Sequence, residues 1–221
     1  MKLMRVSAIA GWVYVLFWIT GLILEPGAPK ITSSSMELGM YYSTHSLIHS
    51  VQAFLIDGAA GIALLVFISG LVVFLFKSQK DKLVPILVTF GLGIAASGIS
   101  LVQAGFQQVL SGNLSHSNEI PYRLILTIIN DLDTFKLLAL AGVVLTSSIL
   151  INQARNIPQW SGWLGFVLSL LLFFGGLSYI VDQQLLQVLL YLSLPTLLIW
   201  VALISTFLFR WKPDVSEIIR E

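Results

Sequence analysis

The sequence predicts an all-α membrane protein in which six transmembrane helices form one bundle. Hydrophobic residues occupy 57% of the 221 positions and charged residues only 10%, whereas about a quarter of the residues of a soluble domain are charged. Mean hydropathy is +0.90. Six segments are apolar over the roughly 20 residues that cross a bilayer, so we expect a single domain covering residues 1–221. These segments are approximately 6–24, 47–76, 84–110, 124–151, 163–181 and 185–209.

The first segment follows Lys2 and Arg5, as the apolar core of a signal peptide would. Its apolar run is longer than a signal core, and Glu25 and Pro26 follow where small cleavage-site residues are expected. We therefore interpret residues 6–24 as a helix that is retained.

Lysine and arginine in short loops set the orientation, because they stay on the cytoplasmic side. With the N-terminus inside, nine of these residues fall on the cytoplasmic side and two, Lys30 and Arg123, fall outside. The nine are Lys2, Arg5, Lys77, Lys80, Lys82, Arg155, Arg210, Lys212 and Arg220. The sequence therefore predicts that both termini are cytoplasmic.

In this orientation the polar residues of the second and third segments gather near the outer face. The second segment carries Asp57, and the third ends with Gln103 and Gln107. Small residues at four-residue spacing, such as Gly61 and Gly93, let helix backbones approach closely. In the outer loop between the first and second segments, residues 31–36 are expected to be polar and mobile.

The fourth segment is interrupted at residues 130–136 by the sequence Asn-Asp-Leu-Asp-Thr-Phe-Lys. Each charge at such depth costs roughly 2.5–3.5 kcal/mol, so it usually faces a bundle interior or a water-filled cavity. Helical geometry separates Asp131 and Asp133 by about 160°, so both cannot face one pocket. Asn130 and Asp133 can, and Asp133 can also pair with Lys136 along the helix.

Two interpretations of these polar residues remain open. They form a ligand or proton site, in which the aspartates bind a cation or relay protons and the lysine is the counter-ion. Alternatively, Lys136 and one aspartate form a structural salt bridge between the second and fourth helices, and the glutamines bond helices together. The candidate residues are Asp57, Gln103, Gln107, Asn130, Asp133 and Lys136.

The three histidines of the chain, His45, His49 and His116, all fall on the predicted outer side. His45 and His49 are four residues apart and share a helix face, so together with His116 and a carboxylate they could hold zinc. They could equally be interfacial residues that bond to water, or sensors of external pH.

Several classes of function are excluded or lack their motifs. The absence of cysteine excludes disulfides, iron–sulfur clusters and thiolate zinc sites. No phosphate-binding loop and no nucleophilic serine motif occurs, and no basic patch indicates nucleic acid. The sequence therefore gives no positive indication of an enzyme.

Three stretches carry a resemblance. They are residues 130–136, the sequence Ile-Pro-Gln-Trp-Ser-Gly-Trp-Leu-Gly at 157–165, and Leu-Ser-Leu-Pro at 192–195. Across nearly its whole length the chain resembles a family of bacterial six-span membrane proteins known only as a domain of unknown function, the 4386 family. The resemblance implies a helical bundle in a bacterial plasma membrane and implies no activity.

The chain is also similar in one respect to the membrane hydrolases that include alkaline ceramidases and adiponectin receptors, which hold zinc with three histidines near an aspartate. The residues of the same types here are His45, His49, His116 and Asp57. Those proteins have seven spans and carry the paired histidines on the last helix, so their activity is not transferred to this chain.

The function we expect is that of a sensor, an accessory subunit or a small-ligand-binding protein with a polar vestibule that opens outward. Its expected partners are the lipid bilayer, a small ligand from the extracellular side and another membrane protein. The alternatives are a proton-coupled carrier that uses the intramembrane aspartates and lysine, and a metal-dependent hydrolase that uses the histidines.

Overall fold

The computed structural model describes residues 2–25, 27–29, 31–112, 122–154, 157–181 and 183–211. Within these ranges six helices are long and apolar enough to cross a membrane and no strand occurs, so the predicted all-α six-span fold is confirmed. Spans 1 to 6 are Lys2–Leu24, Ser46–Ser78, Leu83–Ser111, Tyr122–Gln153, Gln159–Leu177 and Gln184–Arg210. We call the end of the bundle where span 1 ends and span 2 begins the Glu25 end.

Span 5 lies earlier in the chain than the predicted segment 163–181. It begins at Gln159, directly after Pro158, and ends at Leu177. Residues 178–181 are apolar enough to extend a segment that is defined by hydropathy, but their backbone forms tight turns. The Ser178 amide donates to the Gly175 carbonyl, which closes the first of these turns.

The six spans form a closed ring in chain order. Each span packs against the spans before and after it, and span 1 packs against span 6. Spans 2 and 4 lie on either side of span 3, and their backbones approach each other at few points. Any strong link between spans 2 and 4 must therefore come from long side chains that reach across the interior.

Small residues bring some neighbouring spans very close together. A Cβ atom built on Gly70 of span 2 would lie only 2.1 Å from the Cβ of Ser7 in span 1. The predicted small-residue row of span 2 also contacts span 3, where a Cβ on Gly61 would lie 3.0 Å from the Cβ of Ser100. Tight backbone approach of this kind is how helices associate in lipid.

Away from the Glu25 end, apolar side chains fill the interior of the ring. Phe67, Phe74 and Trp200 are each about 1% exposed. The Trp200 indole N–H donates to the Ser161 carbonyl at 3.3 Å, which satisfies its one polar atom. This half of the bundle is therefore a packed hydrophobic core.

Span 2 contains a short π-helical segment at Asp57, one of the candidate site residues. Residues Phe54–Ala59 form a π-helical turn within an otherwise α-helical span, and Asp57 lies inside it. A π-helical turn shifts the side chains around the helix axis relative to an unbroken α-helix, and such turns are frequent at functional sites. The direction in which Asp57 points therefore does not follow from α-helical periodicity.

The connection between spans 1 and 2 contains a short helix, Ser35–Thr44, which begins at the end of the segment 31–36 that was expected to be polar and mobile. The Ser34 side chain accepts a hydrogen bond from the Glu37 amide at 3.2 Å and caps the helix. Leu38 and Tyr42 on its buried face pack with Leu110 and other apolar residues from spans 3 and 4. The run of serines is a helix-capping signal.

Candidate functional site

The ring encloses a cavity of about 350 Å³ in the half of the bundle nearer the Glu25 end. Every span contributes to its wall. One lining residue from each span, in chain order, is Trp18, Asp57, Gln107, Lys136, Leu172 and Tyr191. Tyr191 is 78% exposed, so one wall of the cavity borders the outer surface of the bundle.

Three charged side chains form the polar wall of this cavity, and we call them the charged triad: Asp57, Asp133 and Lys136. The Lys136 Nζ lies 3.0 Å from Asp57 Oδ1 and 2.7 Å from Asp133 Oδ1. The second oxygen of Asp57 accepts a hydrogen bond from Gln107 Nε2 at 3.3 Å. The ammonium therefore links span 2 to span 4 across the ring.

The two carboxylates of the triad differ in their surroundings. The Asp57 side chain is 4% exposed and both of its oxygens have protein partners, whereas the Asp133 side chain is 25% exposed. Asp57 is therefore fully engaged in the structure, while Asp133 remains accessible to a molecule in the cavity.

The other polar residues considered from the sequence, Asp131, Gln103 and Asn130, do not line the cavity. Asp131 is exposed, on the opposite side of span 4 from the triad. Gln103 is buried and donates to the Ile129 carbonyl at 3.0 Å, which links spans 3 and 4.

A second polar cluster, which the sequence analysis missed, surrounds Glu25. Its Oε2 lies 2.9 Å from Nδ1 of His49, and its Oε1 accepts a hydrogen bond from the Tyr41 hydroxyl at 2.5 Å. The sequence did contain an indication of this cluster, because Glu25 directly follows the first apolar span and His49 lies near the start of the second. We call these three residues the Glu25 cluster.

Glu25 is held in its ionised form by these neighbours. Burial by itself would raise the pKa of Glu25, but the hydrogen bonds from His49 and Tyr41 outweigh it and lower the pKa below its ordinary value. In turn, burial and the adjacent Glu25 carboxylate raise the pKa of Tyr41. Tyr41 therefore remains a hydrogen-bond donor at neutral pH.

Gln52 connects the Glu25 cluster to the cavity. Its side-chain amide donates to the backbone carbonyls of Gly21 at 3.3 Å and Glu25 at 3.4 Å, and the same side chain lines the cavity. It fixes the end of span 1 against span 2, so the Glu25 cluster lies directly next to the cavity wall.

We expect the Tyr41→Phe substitution to shift the pH dependence of stability. A carboxylate with a lowered pKa in the folded state stabilises the protein above its unfolded pKa of about 4.3, and this stability disappears as the pH falls through the folded pKa. Removal of one hydrogen-bond donor raises the folded pKa of Glu25 toward its unfolded value, so the pH-dependent loss of stability should be smaller and should be complete at a higher pH than in the unmodified chain. Thermal unfolding in detergent between about pH 6 and pH 3 measures it.

Tyr42→Phe is the matched control for this prediction, because Tyr42 is the adjacent tyrosine and its hydroxyl does not bond to Glu25 among the described contacts. Its profile should follow that of the unmodified chain. An unchanged profile in the Tyr41→Phe variant would show that the tyrosine hydroxyl does not control the ionisation of Glu25.

The histidines that the sequence analysis grouped as metal ligands have separate partners. His45 stacks on Tyr41 with ring centroids 4.6 Å apart, and its Nδ1 lies 3.1 Å from the Tyr41 carbonyl oxygen. His49 uses its Nδ1 for Glu25. His116 lies outside the described residues. Within the described ranges, no three histidine or carboxylate side chains are grouped as a metal site.

Comparison of the chain with protein-family models, with curated proteins and with solved structures finds no match. The resemblances to the 4386 family and to the membrane hydrolases therefore stay predictions.

Proposed function

We propose that this chain is an integral membrane protein that binds a small ligand in the central cavity and acts as a sensor or an accessory subunit of a membrane complex. The observation that carries the proposal is the convergence of all six spans on one cavity of about 350 Å³. Pockets for small ligands have volumes of about 300–1,000 Å³, apolar walls and a few placed polar groups. The charged triad supplies such polar groups.

The proposed location is a bacterial plasma membrane with both termini in the cytoplasm. The excess of lysine and arginine in the connections on the side of the termini supports this orientation, and the resemblance to the 4386 family supports the bacterial origin. In this orientation the Glu25 end faces outward, and the ligand reaches the cavity from the extracellular side.

The distribution of ionisable groups favours binding over passage through the membrane. Among the described residues, the buried glutamate, aspartate, histidine and lysine side chains are Glu25, His49, Asp57 and Lys136. All four lie between the Glu25 end and the middle of the bundle, whereas the described residues buried in the other half are mainly apolar, with uncharged serines and threonines among them. A proton-coupled carrier opens its site alternately to the two sides of the membrane, so it needs a polar path that continues to the cytoplasmic side.

The proposal predicts that the cavity can be filled by a mutation and that filling it prevents binding. A panel of small amines, alcohols and carboxylates is added to the purified chain in a nonionic detergent, and Tm is measured. A ligand at 100 times its Kd stabilises the folded state by about 2.7 kcal/mol. We expect at least one compound to raise the Tm of the unmodified chain but not that of Leu194→Trp, which places a ring in the cavity wall.

Leu192→Trp is the matched control, because Leu192 is on the same helix and is 51% exposed at the surface. This variant should respond to the same compounds as the unmodified chain. If no compound of any charge stabilises the unmodified chain, or if Leu194→Trp responds as strongly, the cavity is not a ligand site and the proposal is wrong.

A further inference from the structure

The side chains around the cavity carry a net negative charge. Among the described residues, the lining contains two carboxylates, Asp57 and Asp133, and one basic side chain, that of Lys136. Two negative charges and one positive charge leave a net charge of −1 when all three are ionised. Such an excess in a poorly solvated site favours a positively charged occupant.

The position of that excess charge follows from the contacts of the triad. Asp57 bonds to Lys136 through one oxygen and to Gln107 through the other. Asp133 contacts the same lysine through Oδ1 and keeps a quarter of its side chain exposed. Asp133 is therefore the carboxylate that a cation in the cavity would contact.

Aromatic rings surround the same space. Tyr14 and Trp18 of span 1, Tyr179 after span 5 and Tyr191 of span 6 all line the cavity. The Lys136 Nζ lies 6.0 Å from the centroid of the Trp18 ring, so this ring already faces a cation. Aromatic faces attract ammonium groups, and several such rings around one site recognise alkylated ammonium ions.

Apart from Gln52, Ser100 and Ser193, the rest of the wall is apolar, and this indicates which substituents the cation carries. Leu64, Leu137, Leu140, Leu194 and Leu197 supply alkyl surface. A calcium or magnesium ion requires about six oxygen ligands, and this wall offers one accessible carboxylate. The lining therefore suits an ammonium ion with apolar substituents and does not suit a bare metal ion.

We propose that the cavity binds a small organic cation, with its ammonium group between Asp133 and the rings of Trp18 and Tyr191 and its alkyl groups against the leucines. This inference rests on the proposed ligand-binding function and adds the chemical class of the ligand. Lys136 then serves as the internal counter-ion that holds both aspartates in place, and it leaves one negative charge for the ligand.

Three probes of nearly equal shape test this inference: choline, its neutral isostere 3,3-dimethylbutan-1-ol, and the anion 3,3-dimethylbutanoate. Their Kd values are measured by calorimetry on the full chain in a nonionic detergent at constant ionic strength. We expect choline to bind at least about tenfold more tightly than the neutral alcohol, from the attraction of the aromatic rings and the carboxylate. The anion should bind most weakly.

Two substitutions locate the site. Asp133→Asn and Trp18→Leu should each weaken choline binding by about tenfold, with little change for the neutral alcohol. Asp131→Asn is the matched control, because it removes the same charge two residues away on an exposed face, and it should leave choline binding unchanged. Circular dichroism and gel filtration verify that each variant is folded.

The possible failures are distinguishable. Equal binding of choline and the neutral alcohol, with both lost in the Leu194→Trp variant, would overturn the organic-cation inference while the proposed ligand-binding function stands. Choline binding that Asp133→Asn and Asp131→Asn reduce equally would also overturn it, because the attraction would then come from general charge. Absence of binding by any probe, together with no response to the wider compound panel, would overturn both proposals.

Discussion

Replacement of Lys136 by methionine is expected to destabilise the folded protein by roughly 3–5 kcal/mol, because it leaves the carboxylate of Asp57 buried without a counter-charge. Lys136 is 5% exposed and contacts both aspartates, and the Asp57 side chain is only 4% exposed. The ammonium is also a direct polar link between spans 2 and 4. Unfolding of the purified chain in mixed detergent micelles measures the change.

The order of the effects within the triad is a sharper test than one variant alone. Asp57→Asn should destabilise less than Lys136→Met, since Lys136 keeps Asp133 as a partner. Asp133→Asn should destabilise least, because its side chain is partly exposed. The double variant Asp57→Asn/Lys136→Met should recover most of the loss, as it removes the buried charge together with its partner.

Two results would contradict this account of the triad. Lys136→Met could be no less stable than the exposed control Asp131→Asn, which would mean that the ion pairs do not hold spans 2 and 4 together. Alternatively, the double variant could be as unstable as Lys136→Met alone, which would show that the loss arises from packing of the lysine stem and not from an uncompensated charge.

Replacement of Gly70 by leucine is the second large effect that we expect, with a loss of about 3 kcal/mol from overpacking. Even a methyl group at this position would lie 2.1 Å from both the Cβ and the Oγ of Ser7, which is itself fully buried. The new side chain can be accommodated only if spans 1 and 2 move apart. The same unfolding measurement in mixed micelles reports the loss.

Gly98→Leu is the control for Gly70→Leu. Gly98 also lies within a span, but a Cβ there would meet no atom within 4 Å. Leucine has a higher helix propensity than glycine, so this variant should be as stable as the unmodified chain or slightly more stable. Equal destabilisation of the two variants would mean that the cost lies in the helix itself and not in the contact between spans 1 and 2.

The six-span fold follows almost entirely from local composition. A bilayer accepts only long apolar helices, so hydropathy over about 20 residues locates each span without knowledge of its neighbours. The prediction was least accurate at the fifth segment, where the largely apolar residues 178–181 continue beyond the end of the helix. Hydropathy measures how favourably side chains transfer into lipid. It does not depend on backbone conformation, so it cannot detect turns such as the one closed by the Ser178–Gly175 hydrogen bond.

The same local reasoning placed part of the charged triad. Charges deep in a span usually face the interior or a cavity, which pointed to Asp57, Asp133 and Lys136, and α-helical periodicity separated Asp133 from Asp131. The structure places Asp131 at the exposed surface and Asp133 in the cavity wall, in agreement with that separation. The sequence also offered the pairing of Asp133 with Lys136, because both lie on one helix at a spacing of three residues.

Other features depended on how the helices pack around one another. The sequence by itself determined the fold class, the number of spans and which charged residues lie within the spans. Only the tertiary structure decided that Asp57 meets Lys136, 79 residues away, and that Glu25, Tyr41 and His49 form a cluster. The physical reason is that lipid solvation selects a helix from its own residues, whereas contacts between helices depend on their rotation and on close-packed shapes. The π-helical turn at Asp57 and the glycine contact at Gly70 set those shapes.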